Sequence, residues 1–450
     1  MPPVPPHRRR AGTSGASRRR IVRRGALAAA FTAVLAASPG VAHEGCCDAP
    51  AIVGPVPPDG IGTAVYVNGR ACWDYRPMPS VVRPETSVLA ARFPVIDVHC
   101  HWSLDVDPDA MLAAMEERNV VRAVNLSGGW GEQLRLMCER YLATPELRER
   151  FAVLCNVDFS RVGEPGFAAR IERELREAKA MGVSGLKVFK NLGLTARDVD
   201  GDLIPVDDPR LDVIWRTCGE LDFPVLIHSA DPIAFFEPID CRNERWMQLA
   251  RHPSWSFHGP EFPSWSEVID QFERMIARHR GTRFIAPHMA NAAEHLAEAR
   301  RMLEEHENLW MDISGRVGEV GRRPYTIRRL FLDFPGRIMF GTDRYPGRPD
   351  QPRHRIYFRF LETDDEYFDY YDHPFPPAGD WKIHGVFLPD EVLREVYHDA
   401  AARVYGWPTL AERAAAGERA GGGEAVLVRA AGVSGDAGAA GGRGPGDGEG

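Results

Sequence analysis

Short apolar runs alternate with segments of helical periodicity over residues 93–410. Runs of about four to six residues between polar residues or glycines are typical of buried strands, and apolar residues spaced three and four apart predict helices with one buried face. We predict eight strands, at 95–99, 123–126, 152–157, 185–189, 225–228, 284–288, 309–313 and 338–341. The predicted helices span 108–118, 132–143, 166–181, 209–221, 266–278, 293–306, 324–334 and 389–405.

The order of these elements predicts the fold class. Eight strands, each followed by a helix, are the count of a (β/α)8 TIM barrel, an α/β fold with parallel strands. A doubly wound open sheet is the alternative, but no Gly-x-Gly-x-x-Gly turn follows the first strand, which weakens its dinucleotide-binding version. Two long aromatic connections, 232–265 after the fifth strand and 345–387 after the eighth, would lie at the C-terminal face of a barrel. They are either walls or lids of a pocket or the surface of a homodimer.

Two segments flank the predicted barrel. In residues 43–92, a linker rich in proline and glycine precedes Asn68-Gly69, which predicts the turn of a small β-hairpin. The tail 411–450 is rich in glycine and alanine and has almost no large apolar residues, so we expect it to be disordered.

Residues 1–42 have the composition of an export signal. An arginine-rich stretch at 17–23 precedes a modest apolar run at 26–37 and small residues at 40–42. The Ser-Arg-Arg-x-aliphatic order resembles the twin-arginine signal of bacterial export, and the apolar run is too short to span a bilayer. We therefore expect a periplasmic or extracellular protein without stable membrane insertion.

Charge and cysteine usage narrow the classes of partner. The net charge is −8, and residues 1–42 carry arginines but no acidic residue, so the remainder is more acidic still. An acidic body disfavours nucleic acid as a partner and leaves a small molecule as the expected ligand. Export would permit a disulfide among Cys46, Cys47 and Cys72.

Residues that can bind metals recur at the ends of the predicted strands. In the first strand, alternation directs Asp97, His99 and His101 to one face, and two imidazoles one residue apart can hold one metal ion. Other predicted strands end in or carry His228, His288, Asp343 and Lys187. Because the C-terminal strand ends of a barrel converge, we expect these side chains to meet in one site.

Together, these motifs resemble those of the metal-dependent amidohydrolase superfamily. The branch that they resemble most is the amidohydrolase-related one, which includes aminocarboxymuconate semialdehyde decarboxylase. The likeness covers about residues 93–405 and is carried by IDVHCH at 96–101, VLIH at 225–228, APHMAN at 286–291 and FGTD at 340–343. One departure is Ala290, which stands where the family commonly has glycine.

The resemblance implies roles for individual residues. The metal ligands would be His99, His101, His228 and Asp343, and the metal would be one or two divalent ions, with zinc expected. Asp343 would also move a proton during catalysis, and His288 would hold a second metal or polarise the substrate.

Cations near the strand ends are candidates for holding the substrate. Arg316, after the seventh strand, and Arg344, after the eighth, can each bind an anionic group through two hydrogen bonds, or serve in surface ion pairs. The chain has only four lysines, of which two are Lys187 and Lys190. Lys187 has three interpretations. It could be carbamylated and bridge two metals, as the corresponding lysine does in dinuclear members of the superfamily. It could instead be a cation that holds a substrate anion, or the partner of an acidic residue. Strand alternation directs Lys190 to the opposite face, unless the strand ends before this residue.

These features predict a metal-dependent hydrolase that activates water against the carbonyl carbon of an ester, lactone or amide. The alternative is a metal-dependent non-oxidative decarboxylase of an aromatic or unsaturated acid with the same ligands. A third interpretation, a barrel that binds a ligand without catalysis, is disfavoured by the complete set of metal-binding residues.

Overall fold

The fold centres on a sheet of eight parallel strands whose spatial order follows their order in the chain. The structure is a computed structural model that describes residues 66–67, 70–71, 80–81, 85–344, 354–371, 378–417 and 428–430. The eight strands are Val95–Cys100, Val120–Asn125, Phe151–Cys155, Gly185–Val188, Val225–Ile227, Phe284–Ala286, Leu309–Asp312 and Ile338–Met339. All eight predicted strands are confirmed, and they are called the first to eighth barrel strands below.

Hydrogen bonds also join the first strand to the eighth. The amide of Val98 donates to the carbonyl of Phe340 at 3.2 Å, and the amide of Asp343 donates to the carbonyl of His99 at 2.8 Å. The sheet therefore closes on itself, which confirms the predicted TIM barrel.

Helices cover the outside of the barrel. Those that follow the strands are Pro108–Glu116, Gly131–Tyr141, Phe167–Ala180, Asp212–Glu220, Trp265–Arg278, Leu296–Glu305, Pro324–Asp333 and, interrupted by a π-helical turn at Glu395–Asp399, Asp390–Arg394 with Ala400–Tyr405. Further α-helical and 3₁₀ segments lie in the connections, at Pro145–Arg150, Phe159–Arg161, Pro209–Leu211, Ile233–Phe236, Trp246–Leu249, Pro253–Trp255, Val317–Val320 and His354–Glu362. Pro287–Ala290 is a kinked turn with non-helical backbone angles. In the described part of the chain, no helix is both long and apolar enough to cross a membrane.

Two layers of apolar side chains hold the barrel together. Neighbouring residues of a strand alternate between them: Ala152 and Leu154 face the barrel interior, and Phe151 and Val153 face the helices. Removal of this apolar surface from water is the main stabilising contribution to such a fold. The alternation leaves the C-terminal strand ends, where the interior layer stops, for polar side chains.

The short elements before the barrel include the predicted hairpin. Tyr66–Val67 pairs antiparallel with Arg70–Ala71, which confirms it. The export signal at 1–42, the linker at 43–60 and the three clustered cysteines lie outside the described residues.

Two elements lie in the tail. A helix spans Leu410–Ala415, and Val428–Ala430 pairs antiparallel with Glu85–Ser87. The prediction of a tail disordered from residue 411 is wrong for these two elements. Thr409 and Glu412 form a capping box that satisfies backbone amides at the helix N-terminus, and a strand with unpaired backbone groups accepts a partner despite a weak apolar pattern.

Candidate metal and active site

A cavity of about 520 Å³ opens at the C-terminal ends of the barrel strands. Active sites of TIM barrels form at this end, because loops from all eight strands meet there. Seven of the eight predicted site residues line the cavity: His99, His101, Lys187, His228, His288, Arg316 and Asp343. The expected convergence of these side chains is therefore present in the structure.

The carboxylate of Asp343 lies among the imidazoles. Its Oδ1 atom is 3.3 Å from Nε2 of His99 and 3.3 Å from Nε2 of His101. His99, His288 and Asp343 each offer a ligand atom, and these atoms lie within 4.8 Å of one another. This spacing is short enough for one ion to contact all three.

His228 brings a further nitrogen to this group. Its ring centroid is 4.5 Å from that of His288. Its buried Nε2 has no hydrogen-bond partner among the described residues and makes a long contact, 3.5 Å, to Oδ1 of Asp231. A buried nitrogen without a partner is costly, and a metal ion would satisfy it. The residues present therefore fit a divalent metal that prefers imidazole and carboxylate ligands.

A shift of register in the first barrel strand changes which of its side chains point into the barrel. The register against the second strand shifts between Asp97 and Cys100. Before the shift, Val98 faces the barrel interior and Asp97 faces outward, where its Oδ2 accepts hydrogen bonds from the hydroxyl of Thr342 at 2.6 Å and from Nε2 of His354 at 3.1 Å. The expectation that Asp97 shares a face with the two histidines is wrong, because such a shift changes which side chains point into a site.

Hydrogen bonds at Nδ1 orient the first-strand histidines. Nδ1 of His99 lies 3.0 Å from Oδ2 of Asp312 and 2.8 Å from Oγ of Ser314. Nδ1 of His101 lies 2.8 Å from Oγ of Ser127. With these contacts at Nδ1, the Nε2 lone pairs are directed towards the metal position.

The seventh strand also orients His288. The amide of His288 donates to Oδ1 of Asp312 at 3.0 Å, and its Nδ1 lies 2.7 Å from the carbonyl oxygen of Ser314. Sequence reasoning missed the role of Asp312. The sequence feature that could have revealed this role is the acidic residue itself, which stands between Met311 and Ile313 in an otherwise apolar strand.

Burial and neighbouring charges set the protonation of the site. Burial lowers the pKa of His101 and of His228 to about 4, and it lowers the pKa of His288 well below its ordinary value. For His99, burial lowers the pKa, but the charges of nearby aspartates outweigh burial and raise it. Burial alone would raise the pKa of Asp343, yet the neighbouring imidazoles, His99 first, hold it well below its usual range. The neutral imidazoles of His101, His228 and His288 and the ionised carboxylate of Asp343 are the forms that bind metals.

Left-handed backbone recurs where the strands enter the site. Ala230 has a φ of 62°, Asp343 has a φ of 60°, and all four residues at 288–291 have φ between 52° and 60°. Each non-glycine residue in this conformation costs about 1–2 kcal/mol, and such strain is concentrated at functional sites. The amide nitrogen of the Asn291 side chain donates to the carbonyl of Ser229 at 2.8 Å, which helps to hold the turn.

Lys187 is enclosed in the barrel. Its side chain is 1% exposed, and burial lowers its pKa to about 8. Its Nζ atom is 5.2 Å from the ring centroid of Phe189. An amine with this pKa is partly neutral at mildly alkaline pH, which a carbamate requires.

Lys190 lies in the same cavity and forms an ion pair with Asp231. The prediction that Lys190 faces away is wrong, because the strand ends at Val188 and alternation no longer sets the direction of the side chain. Burial alone would raise the pKa of Asp231, but the charge of Lys190 and the contact with His228 outweigh it and lower the pKa to about 2. Sequence reasoning did not identify Asp231.

The two predicted substrate-binding arginines separate in space. Arg316 lines the main cavity, and its guanidinium donates to Oδ1 of Asn291 at 3.0 Å. Arg344 instead lines a different cavity of about 250 Å³, beside Asp97 and His354. The geometry supports a substrate contact for Arg316 and not for Arg344, because Arg344 lies in an isolated bridge with Cys100 and its side chain faces the other cavity.

The long loops form walls of the cavity, as one of their two interpretations predicts. They contribute Phe235, Trp255 and Tyr370 to its lining. Arg245, which is 3% exposed, anchors the first loop through buried ion pairs with Glu319 and, at 3.2 Å, with Glu294. No sequence signal pointed to this anchor, since its partners lie on other loops.

The first of these loops also carries Cys241, which is disulfide-bonded. The free cysteines of the described chain, Cys100, Cys138, Cys155 and Cys218, are all buried. Disulfide bonding is thus not confined to the cluster that the sequence suggested.

A closed barrel with these side chains at its C-terminal end defines a TIM-barrel enzyme built to hold a divalent metal. The amidohydrolase family profile matches residues 92–407, and the chain belongs to this family. No curated protein matches the sequence.

Several solved structures are similar in fold. The 2,6-dihydroxybenzoate decarboxylase from Rhizobium is 15% identical, with a TM-score of 0.43 over 70% of this chain and 99% of its own. A dihydroxybenzoic acid decarboxylase from Polaromonas sp. JS666, which contains manganese, is 15% identical, with a TM-score of 0.44 over 70% and 97%. A probable 2-pyrone-4,6-dicarboxylic acid hydrolase from Acinetobacter baumannii is 13% identical, with a TM-score of 0.38 over 70% and 99%.

Proposed function

We propose that this chain is a metal-dependent hydrolase that directs water to the carbonyl carbon of an ester, lactone or amide. One observation carries the proposal. The ionised carboxylate of Asp343 lies 3.3 Å from Nε2 of both His99 and His101, inside a cavity at the catalytic end of the barrel. This places a proton acceptor among the metal-binding nitrogens, as hydrolysis requires.

Different residues would bind the metal, transfer the proton and orient the substrate. His99, His101, His228 and Asp343 would hold the ion. A divalent ion, when bound, polarises a carbonyl oxygen and lowers the pKa of water to about 7. Asp343 accepts the proton from the attacking water and returns it to the leaving group. Arg316 faces the same cavity and orients an anionic or carbonyl group of the substrate.

The role of His288 follows from its tautomer. Its Nδ1 faces the carbonyl oxygen of Ser314 at 2.7 Å, so Nδ1 carries the proton and donates it. Because its pKa lies well below its ordinary value, Nε2 carries no proton. A nitrogen with a free lone pair cannot donate to a substrate oxygen, so this geometry supports a metal-ligand role for His288 over a polarising one.

The alternative function, a non-oxidative decarboxylase of an aromatic or unsaturated acid, uses the same cavity. Two cations in this cavity favour it. The buried Nε of Arg316 has no hydrogen-bond partner among the described residues, and Lys187 lines the same cavity. These groups would hold a substrate carboxylate. The two functions differ in product, because hydrolysis yields a new acid with an alcohol or amine, and decarboxylation yields carbon dioxide.

We propose zinc as the metal and export as the destination of the chain. The nitrogen and oxygen donors of the site suit zinc. The disulfide at Cys241 supports folding in an oxidising compartment, where disulfides persist. Metal analysis of protein purified without added metal tests the first proposal, and fractionation of bacteria that express the full chain tests the second.

A substrate panel tests the function. Zinc-loaded protein is incubated with esters, lactones and amides beside hydroxybenzoic acids, and both acid release and carbon dioxide are measured. We expect acid release from the first group only. Carbon dioxide from the hydroxybenzoates without any acid release would select the decarboxylase, and purified protein that binds no divalent ion would exclude both functions.

A further inference from the structure

We propose that a second cavity beside the metal site binds the departing half of a two-part substrate, an ester of an alcohol that carries an aromatic ring. This proposal rests on the hydrolase function and specifies its substrate class. The second cavity has a volume of about 230 Å³ and shares two lining residues, Lys187 and Phe189, with the main cavity. The two cavities therefore adjoin at these side chains, and a substrate that passes over the exposed part of Phe189 would reach from one to the other.

Phe189 lies between the two cavities and lines both. Its side chain is 36% exposed, and its ring centroid lies 5.9 Å from that of His101. A group placed over Phe189 is thus next to a metal-binding imidazole on one side and next to the second cavity on the other. A hydrolase needs room for two products, whereas a decarboxylase releases only carbon dioxide beside its organic product.

The second cavity presents an exposed tryptophan. Trp130 is 51% exposed and belongs to the loop that follows the second barrel strand. An aromatic side chain of this size at the edge of a cavity provides a flat apolar surface on which another ring can stack. Trp130 is therefore the proposed contact for the aromatic ring of the alcohol.

Close packing and hydrogen bonds hold the backbone just before Trp130. A Cβ atom on Gly128 would lie 2.2 Å from the carbonyl oxygen of Leu154, so only glycine fits there. The amide of Gly129 donates to Oδ1 of Asn156 at 2.8 Å, and the amide of Asn156 donates to the carbonyl of Gly129 at 2.8 Å. A tryptophan on a backbone that is held in place loses less free energy to ordering when a ring stacks on it than one on a mobile loop.

Asn156 also fixes the second cavity relative to the metal site. Its side-chain nitrogen donates to the carbonyls of Leu126 at 3.2 Å and Lys187 at 3.1 Å. These bonds tie together the ends of the second, third and fourth strands. The spacing between the metal site and the backbone beside Trp130 is therefore set by the barrel, which favours an alcohol of a particular length.

Polar groups around the second cavity indicate which substituent the aromatic ring of the alcohol carries. Asp158, Asn191 and Arg197 line it beside the aromatic surfaces of Trp130 and Phe159. A ring with a hydroxyl substituent satisfies both kinds of surface.

The reaction releases the alcohol into this second cavity. Water adds to the acyl carbon, the bond from that carbon to the alcohol oxygen breaks, and the alcohol leaves with the proton from Asp343.

The test compares two esters of one acid, chosen as the acid released fastest in the panel above. One is the ethyl ester and the other is the 2-(4-hydroxyphenyl)ethyl ester, so that both leaving groups are primary alcohols. We expect wild-type protein to prefer the aromatic ester in kcat/KM, and Trp130→Ala to lower this preference about five- to tenfold, the size of one aromatic contact. Trp130→Phe retains a ring and is expected to restore most of the preference.

A matched control separates this effect from general loss of an aromatic side chain. Tyr325 is 81% exposed and lines neither cavity, so Tyr325→Ala is expected to leave the preference unchanged. Equal losses for both esters in Trp130→Ala, or no preference in wild-type protein, would overturn the second subsite and leave the hydrolase function intact. If only lactones or amides are hydrolysed, the subsite proposal fails and the hydrolase function stands. If no compound of the panel is hydrolysed, the proposed function fails and the subsite fails with it.

Discussion

Oδ2 of Asp312 lies 3.0 Å from Nδ1 of His99, and both groups are fully enclosed in the barrel. The same carboxylate accepts hydrogen bonds from the amides of His288 and Ser314 through Oδ1. One side chain of the seventh strand thus sets the orientation of imidazoles from the first and sixth strands. Carboxylate partners of this kind fix the tautomer of a ligating histidine and raise its basicity.

We expect Asp312→Asn to weaken metal binding about 10- to 100-fold, because the amide neither fixes the His99 tautomer nor supplies negative charge. Competition with a chromophoric chelator measures the dissociation constant. Asp333→Asn is the control, since the Asp333 side chain is 51% exposed in a surface ion pair with Arg300. Unchanged metal affinity in Asp312→Asn would contradict the orienting role.

We expect Asp343→Asn to lower kcat by about 10³-fold, because the amide cannot accept the proton from water. It should also lower metal content, which mass spectrometry with inductively coupled plasma measures. Asp222→Asn serves as a control at a side chain that is 72% exposed. Activity near the wild-type level in Asp343→Asn would remove the residue from the mechanism.

The carbamate interpretation of Lys187 predicts a chemical label. The buried amine has a pKa of about 8, so we expect ¹³C-bicarbonate to give a carbamate signal in wild-type protein and none in Lys187→Arg. Arginine keeps the charge and cannot form the carbamate, so metal content and kcat should both fall. Full activity with full metal content in Lys187→Arg would exclude a bridging carbamate.

Lys187 should also make the stability of the metal-free protein depend on pH. Its pKa is 10.5 ordinarily and about 8 when folded, so between these values the unfolded chain binds more protons and stability rises with pH. Below pH 8 the charged amine is buried at a cost of about 3 kcal/mol. We expect Lys187→Met to be more stable than wild type by up to about this amount at pH 7. The gain should shrink towards pH 10.5, as urea unfolding at several pH values would measure. A gain independent of pH would assign the effect to packing instead.

The ion pair of Arg245 predicts a role in stability. We expect Glu319→Gln to lower the free energy of unfolding by about 3 kcal/mol, because it leaves a buried guanidinium with reduced compensation. Denaturant unfolding measures the change, and Glu391→Gln, at an exposed residue, is the control. A change below about 1 kcal/mol, as for surface pairs, would show that Glu294 alone suffices.

Much of the fold and site was predictable because its signals are local. Apolar runs identify strands, and the ends of eight parallel strands must converge, which is why seven site residues meet as expected. The exceptions depend on tertiary structure. The register shift at Asp97 arises from pairing between strands, and Lys190 escapes alternation because its strand ends two residues earlier. Arg245 acquires its role from partners that are distant in the chain.

The turn at 288–291 has a consequence for how the chain folds. A run of left-handed residues without glycine is unfavourable in isolation, so it depends on contacts that exist only in the assembled barrel, including those of His288 with Asp312 and of Asn291 with Ser229. We therefore expect the turn to form late, after the fifth and seventh strands have flanked the sixth. Partly folded chains would then lack His288 at the metal position, and complete metal binding would report that the barrel has closed.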